Sequence, residues 1–120
     1  MSVNEVVQTY IAAWHEPAED KRREFLAQSW AEDGQYTDPL QQYTGREALN
    51  RGIAGFQERR LGAWFVLASD IEYHHNMLRF SWKCLRADDT TLVEGTDFGE
   101  LASDGRLTRI VGFFGPVPNA

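Results

Sequence analysis

Three residues of this chain place a proton-exchanging group where ordinary packing does not favour one. Tyr10 lies on the apolar side of a predicted helix, so its hydroxyl enters the interior and needs a partner there. Asp38 precedes a proline at the end of a short predicted strand. Asp97 lies in mid-strand, where aspartate is disfavoured, and Gly95 and Gly99 flank it on the same strand face. These residues are the candidates for acid/base chemistry.

Each candidate also has an interpretation that requires no chemistry. Tyr10 fits a core tyrosine bonded to a backbone carbonyl, and Asp38 fits an Asx turn or a cap, because Asp-Pro often initiates a turn. Asp97 fits a cross-strand ion pair. Its candidate partners are three arginines of the second half of the chain: Arg79, Arg106 and Arg109. The sequence leaves these alternatives open.

The remaining reactive side chains indicate no metal, redox or nucleotide site. His74 and His75 fall in a predicted exposed turn and face opposite ways, so they are poorly placed to share a metal ion. His15 is predicted to cap the first helix, and the single Cys84 is predicted to be an inert buried thiol. Phosphate loops, dinucleotide fingerprints and nucleophile elbows are absent from the sequence. We therefore expect no cofactor and no metal.

Composition predicts one globular domain over residues 1–120. The chain is 42% hydrophobic and 25% charged, and its formal charge of −6 disfavours nucleic acid and anionic membrane surfaces as partners. It contains no secretion-like start and no apolar run long enough to cross a membrane. A cytoplasmic location is the expectation.

The first half of the sequence has helical periodicity. Apolar residues recur at three- and four-residue steps in a first helix interrupted by Pro17: Val3, Val6, Val7, Tyr10, Ile11 and Trp14. A second helix is predicted from about Glu19 to Trp30, offering Phe25, Leu26 and Trp30 to the core. Thr44 and Glu47 have capping-box spacing and predict the start of a third helix. Its apolar face comprises Leu49, Ile53 and Phe56.

The second half has the two-residue period of strands. A short strand is predicted at residues 35–38, and three turn signals after Trp64 divide the remainder into four antiparallel strands. One predicted strand alternates between an apolar face (Leu78, Phe80, Trp82, Cys84) and a wetter face (Arg79, Ser81, Lys83). The pattern predicts an α+β domain with helices packed on a curved antiparallel sheet.

These elements and several phrases give the chain a resemblance to the NTF2-like superfamily. The helix start at 45–49 and the final hairpin and strand at 104–114 resemble the superfamily as a whole, and segments 30–34 and 37–39 are typical of its SnoaL-like branch. The resemblance implies a cone-shaped fold whose concave face closes over a hydrophobic pocket. It also implies a hydrophobic small-molecule ligand and a homodimer, which we expect to form through the outer face of the sheet.

Within that superfamily, ketosteroid isomerase matches the three candidate residues. Its catalytic tyrosine follows a Val-Val-Gln-x stretch, as Tyr10 does here, and its proton-shuttling aspartate precedes a proline, as Asp38 does. Its neutral aspartate stands eight residues before a hairpin glycine, as Asp97 stands before Gly105. The resemblance implies that Asp38 is the general base and that Tyr10 and protonated Asp97 form an oxyanion site.

The resemblance is incomplete, and it leaves two functions open. Segment 94–99 differs from the isomerase pattern, and the third helix carries Gly52 and Gly55, so the pocket shape is expected to differ. One function is acid/base catalysis of isomerase or polyketide cyclase type on a hydrophobic carbonyl compound. The other is a non-catalytic ligand-binding or dimerisation domain. The predicted pocket wall consists of Trp14, Phe56, Phe80, Trp82 and Phe113.

Overall fold

The computed structural model describes residues 1–119, which form three helices and seven strands. The helices are α1 (Val3–Trp14), α2 (Glu19–Ser29) and α3 (Arg46–Arg59). The strands are β1 (Trp30–Asp38), β2 (Gln41–Thr44), β3 (Trp64–Leu67), β4 (Glu72–His74), β5 (Met77–Leu85), β6 (Thr91–Leu101) and β7 (Leu107–Phe114). The predicted α+β class and the three helices are confirmed. Among these residues, no helix has the length and apolar content needed to span a membrane.

Helix α1 begins with a capping box and buries the predicted apolar stripe. Ser2 and Glu5 exchange backbone-to-side-chain hydrogen bonds of 3.1 Å, which satisfy two free amides of the first turn. The side chains from Val6 to Trp14 that face the sheet are buried, Tyr10 among them. His15 caps the helix end through its backbone N–H, as predicted. Its imidazole Nδ1 accepts a 3.2 Å hydrogen bond from the Phe65 amide, which ties α1 to β3.

The start of α3 differs from the prediction. Gly45 is the N-cap, with a φ of +91°, and no side chain caps the helix. The predicted capping box of Thr44 and Glu47 is therefore wrong, because the left-handed turn at Gly45 takes Thr44 out of the cap position. Glu47 instead accepts a 2.9 Å hydrogen bond from Arg23 of α2.

The sheet is mixed rather than wholly antiparallel. Its strand order is β2-β1-β7-β6-β5-β3, with β4 also paired to β5, and β1 runs parallel to β7. The predicted antiparallel sheet is wrong at this one pair, because α3 and five strands separate β1 from β7 and no hairpin constrains their relative direction. The neighbouring ladders from β3 to β7 are antiparallel, as predicted.

Several strand boundaries also differ from the prediction. Strand β1 begins at Trp30 rather than near residue 35, so α2 ends at Ser29. Strand β2 was not predicted, and five strands rather than four follow α3, because the short β4 forms a separate hairpin with β5. On β5 the predicted alternation is confirmed. The buried face of β5 meets α1 and the other side chains of the main core.

Candidate functional site

A small cavity lies between α1 and the sheet. Its volume is about 40 Å³, enough for a few water molecules or one small chemical group. Its wall consists of six aromatic residues, one aliphatic residue and one acid: Tyr10, Trp14, Tyr36, Phe65, Phe80, Trp82, Ile11 and Asp97. Helix α1 supplies Tyr10 and strand β6 supplies Asp97, so two of the three predicted chemical residues share this inner cavity.

Asp97 is a buried acid with no cationic partner among residues 1–119. Its side chain is 6% exposed, and its Oδ1 accepts a 2.8 Å hydrogen bond from the indole Nε1 of Trp82. The pKa of Asp97 is raised to about 7, chiefly by burial; the Trp82 hydrogen bond acts to lower it, and the charge of Asp38 adds to the rise. Asp97 is therefore a carboxyl group that can exchange a proton near neutral pH.

The arginines considered as partners of Asp97 bind other acids. Arg79 pairs with Glu72, Arg106 with Asp104 and Arg109 with Glu100. All three pairs are exposed to solvent to a substantial degree. The cross-strand ion pair with Asp97 is thus the wrong alternative, because Asp97 points to the buried side of the sheet.

Gly112 separates the two acids of the site. It faces Asp97 across the β6–β7 ladder, and Asp38 lies beyond it at the end of β1. A Cβ atom on Gly112 would lie 2.8 Å from Asp97 Oδ1 and 3.6 Å from the Asp38 Cβ. The missing side chain of Gly112 therefore allows Asp38 and Asp97 to approach one another across β7. Gly112 was not predicted as a site residue, because its register against β6 is not visible in the sequence.

Tyr10 is a buried tyrosine of α1. Its side chain is 2% exposed, and its ring stacks on Trp30 at a centroid distance of 5.4 Å. Burial raises the pKa of Tyr10 well above its ordinary value, and the charge of Asp97 raises it further, while the Trp14 side chain acts in the opposite direction. The hydroxyl consequently remains protonated. Tyr10 is both a core residue and part of the cavity wall, but within residues 1–119 its hydroxyl forms no hydrogen bond to a backbone carbonyl.

Asp38 combines a turn with the site. Its Oδ1 accepts hydrogen bonds from the amides of Leu40 at 2.8 Å and Gln41 at 3.1 Å, which is the Asx-turn alternative. Its Oδ2 accepts from the Tyr36 hydroxyl at 2.6 Å and from Gln41 Nε2 at 3.1 Å. An ionised carboxylate is an acceptor only, and four donors match that form.

Tyr36 and Tyr43 belong to the same hydrogen-bonded group, and neither was predicted. Burial raises the pKa of Tyr36 far above its ordinary range, and Tyr10 and Asp38 add to the rise, so Tyr36 acts as a donor. The Tyr43 hydroxyl donates to Gln41 Oε1 at 2.7 Å. Tyr36 could have been found from the sequence, since residues two apart in a strand share a face and Tyr36 stands two before Asp38.

A larger outer cavity adjoins the inner one. Its volume is about 340 Å³, and Tyr36, Phe65 and Trp82 line both spaces. The rest of its wall is Asp38, Leu40, Gln41, Phe56, Arg59, Arg60, Leu92, Val93 and Phe114. Asp38 thus faces the outer cavity, whereas Tyr10 and Asp97 face the inner one.

Four of the five predicted pocket aromatics line these cavities, and Phe113 does not. Trp14, Phe80 and Trp82 line the inner cavity, and Phe56 lines the outer one with Trp82. Phe113 is 63% exposed, and its prediction as a pocket residue is wrong. Alternate residues of β7 face opposite sides of the sheet, so Phe113 points away while Phe114 lines the cavity.

Metal ligands do not gather in the described chain. Among residues 1–119, no group of three histidine, cysteine, aspartate or glutamate side chains could hold a metal ion. His74 and His75 are exposed, and their Nδ1 atoms lie 3.0 Å apart. Cys84 is buried, and burial raises its thiol pKa to about 11, so the inert interpretation agrees with its surroundings.

Comparison with known proteins identifies one similar chain at substantial identity. A SnoaL-like family protein from Agrobacterium tumefaciens strain C58, assigned as a candidate isomerase, is 36% identical. The alignment covers 94% of this chain and 97% of that one, with a TM-score of 0.88. No protein-family model matches the sequence, and no curated protein does.

More distant structures share the fold. An NTF2-like protein of unknown function from Exiguobacterium sp. 255-15 is 14% identical, with a TM-score of 0.73 over 93% of this chain and 99% of that one. A protein of ketosteroid isomerase-like fold from Catenulispora acidiphila, solved in complex with trimethylamine, is 15% identical. It has a TM-score of 0.72 over 92% of this chain and 85% of that one.

Proposed function

Because the chain belongs to the SnoaL-like family, we propose that it is an enzyme acting on a small apolar carbonyl compound. The reaction is a proton transfer at the carbon next to the carbonyl group, as an isomerase or a cyclase requires. The observation that carries the proposal is the pairing of Tyr10 and Asp97 in one buried aromatic cavity. The SnoaL-like relative from A. tumefaciens, assigned as a candidate isomerase, supports the same reaction class.

Tyr10 and neutral Asp97 form the electrophilic side of the proposed site. Removal of a proton next to a carbonyl leaves negative charge on the carbonyl oxygen. Two donors fixed in a dry cavity stabilise that charge where it develops, and this lowers the barrier for the chemical step. The raised pKa values of Tyr10 and Asp97 keep both groups protonated at mildly acidic pH.

Asp38 is the proposed general base. Asp38 lies on the outer-cavity side of Gly112. Its Oδ2 accepts a hydrogen bond from Tyr36, which is part of the aromatic wall. A substrate whose oxygen reaches Asp97 would present its neighbouring carbon toward the outer cavity. The Tyr36 hydroxyl and Gln41 Nε2 both donate to Oδ2 of Asp38, so one of these hydrogen bonds must give way when Oδ2 takes the substrate proton.

The pH dependence of kcat/KM distinguishes this arrangement from one in which Asp97 is the general base. If Asp97 donates a hydrogen bond, it must be neutral, so kcat/KM falls as the pH rises through about 7. If Asp97 were the base, it would have to be ionised, and kcat/KM would rise over the same range. We expect the fall.

Deuterium exchange tests the reaction without knowledge of the natural substrate. An apolar ketone such as 2-tetralone, incubated with the protein in D₂O, should lose its α-proton signals in NMR faster than in buffer alone. Asp38→Asn should abolish the acceleration, because asparagine keeps the turn acceptor but cannot take a proton. The matched control Asp70→Asn, at an exposed acid outside both cavities, should exchange the ketone at the wild-type rate. Exchange by Asp38→Asn at the wild-type rate would refute the base assignment.

A second candidate function is ligand binding without catalysis. The observation favouring it is that all the hydrogen bonds of Asp38 are satisfied within the protein, as a structural acid requires. Under this hypothesis apolar ketones bind, yet no α-proton is exchanged in any member of a ketone panel. Calorimetric binding beside the exchange assay distinguishes the two functions.

A further inference from the structure

The structure points to a ligand that carries a carboxylate, and we propose that Arg59 and Arg60 bind this group at the mouth of the outer cavity. Both residues line that cavity at the C-terminal end of α3, beside its aromatic wall. This inference rests on the proposed function, because it names the substrate class of the same pocket. The apolar body of the ligand would lie between the arginines and the inner cavity.

Arg59 and Arg60 are the arginines left without partners in the described chain. Within residues 1–119 their side chains form no ion pair and no hydrogen bond. Every other arginine binds a carboxylate, a carbonyl or a side-chain oxygen: Arg22, Arg23, Arg46, Arg51, Arg79, Arg86, Arg106 and Arg109. The chain has 18 acids against 12 basic residues, so carboxylates are not scarce. The two arginines without partners both line the outer cavity.

Arg59 and Arg60 are exposed side chains at the end of α3. Arg59 lies back along its own helix, with Nη1 only 3.2 Å from where a Cβ of Gly55 would stand. Gly55 therefore leaves the space that Arg59 occupies. The charge of Arg60 acts to lower the pKa of the Cys84 thiol on β5. Arg59 and Arg60 also line an adjoining surface hollow with Arg86, which adds a third positive charge.

The two acids that line these spaces already have hydrogen-bond donors of their own. Asp38 in the outer cavity accepts four hydrogen bonds, and Asp88 in the adjoining hollow accepts from Thr90. Both acids are already engaged by donors, so they leave Arg59 and Arg60 available. A planar carboxylate can bind a guanidinium group through two parallel hydrogen bonds. The protein carries a net charge of −6, so a local positive site is needed to attract an acidic ligand.

Two naphthalene probes that differ by one carboxylate test the proposal. 6-Hydroxy-2-naphthoate has a hydroxyl at one end and a carboxylate at the other, whereas 2-naphthol lacks the carboxylate. Titration calorimetry on wild-type protein should show the naphthoate binding about tenfold more tightly, a ratio equivalent to about 1.4 kcal/mol. This advantage should decrease as the salt concentration rises.

Variants assign the effect to the two ends of the pocket. Arg59→Gln/Arg60→Gln should remove the tenfold preference and leave 2-naphthol binding unchanged. Arg51→Gln is the matched control for charge, since Arg51 is exposed on the same helix and lies outside both cavities. It should retain the preference. Tyr10→Phe should weaken both probes alike, because it acts on the hydroxyl end.

The outcomes distinguish this inference from the proposed function. Equal affinity of wild-type protein for the two probes refutes the acidic ligand while the apolar pocket stands. So does a preference that survives in the Arg59→Gln/Arg60→Gln variant or is lost equally in Arg51→Gln. A preference for 2-naphthyl phosphate over the naphthoate refutes the choice of a carboxylate. Failure of both probes to bind wild-type protein refutes the pocket itself and this inference with it.

Discussion

Replacement of Asp97 by asparagine should change how the stability of the protein depends on pH. Asparagine keeps the size of the side chain and an oxygen for the Trp82 hydrogen bond, but it cannot ionise. The pKa of Asp97 rises from 3.8 to about 7 on folding, so the folded state resists ionisation that the unfolded state undergoes freely. Wild-type stability therefore has its full value below the unfolded pKa and decreases as the pH rises toward the folded pKa.

The size of this effect follows from the two pKa values. Between them, stability decreases by roughly 1.4 kcal/mol for each pH unit, and the total approaches roughly 4 kcal/mol above pH 7. From pH 5 to pH 8, wild-type protein should lose roughly 2 to 3 kcal/mol relative to Asp97→Asn. Burial also lowers the pKa of His15, but His15 is present in both proteins and does not enter the difference.

Urea unfolding at pH 5, 6, 7 and 8 measures the difference directly. The free energy of unfolding of Asp97→Asn minus that of wild type should increase steadily with pH and level off near the top of this range. Asp70→Asn, which replaces an exposed acid, should follow the wild-type curve. A difference that is constant with pH, or that decreases, would show that Asp97 is not a buried acid of raised pKa and would refute the reasoning.

Three further changes test the packing of the site and the assembly of the chain. Gly112→Ala should strongly reduce the rate of ketone exchange and lower the free energy of unfolding by about 1 to 3 kcal/mol, because the new methyl group meets Asp97. Exchange at the wild-type rate would contradict the proposed crowding. Asn50→Leu should lower the free energy of unfolding by about 1 to 3 kcal/mol, because it removes the oxygen that accepts the 2.7 Å hydrogen bond of buried Arg22. Asn50→Asp should be less destabilising. An unchanged urea midpoint for Asn50→Leu would argue against this role of Asn50. We also expect a dimer through the outer sheet face, where Phe113 is exposed, and Phe113→Lys should yield monomers in sedimentation equilibrium; a wild-type monomer at micromolar concentration would remove this expectation.

The elements and their buried faces were predictable because they depend on local periodicity. The three- and four-residue steps of α1 place Tyr10 on its buried side, and the two-residue alternation of β5 places Trp82 inside. The same two-residue alternation in β7 puts Gly112 and Phe113 on opposite faces of the sheet, so the outward position of Phe113 could also have been predicted. Helix α3 was predicted, but its capping by Gly45 was not, because a positive φ is permitted rather than required by glycine.

Pairings between distant segments were decided only by the tertiary structure. Tyr10, Asp38 and Asp97 could be identified in the sequence by residue type and position. Tyr10 and Asp97 line the same inner cavity only because α1 packs across the sheet. Neither the Trp82 hydrogen bond to Asp97 nor the gap at Gly112 follows from any short-range pattern.

The parallel pairing of β1 with β7 and the free guanidinium groups of Arg59 and Arg60 likewise come from the assembled fold. Side-chain periodicity encodes which face of an element is buried, because every turn or pleat repeats the same geometry. It does not encode strand order, register or ion-pair choice, since these depend on the relative free energies of contacts between residues far apart in the chain. The residue types of the site could therefore be recognised in the sequence, whereas folding determines the pKa of Asp97 and the partners of the arginines.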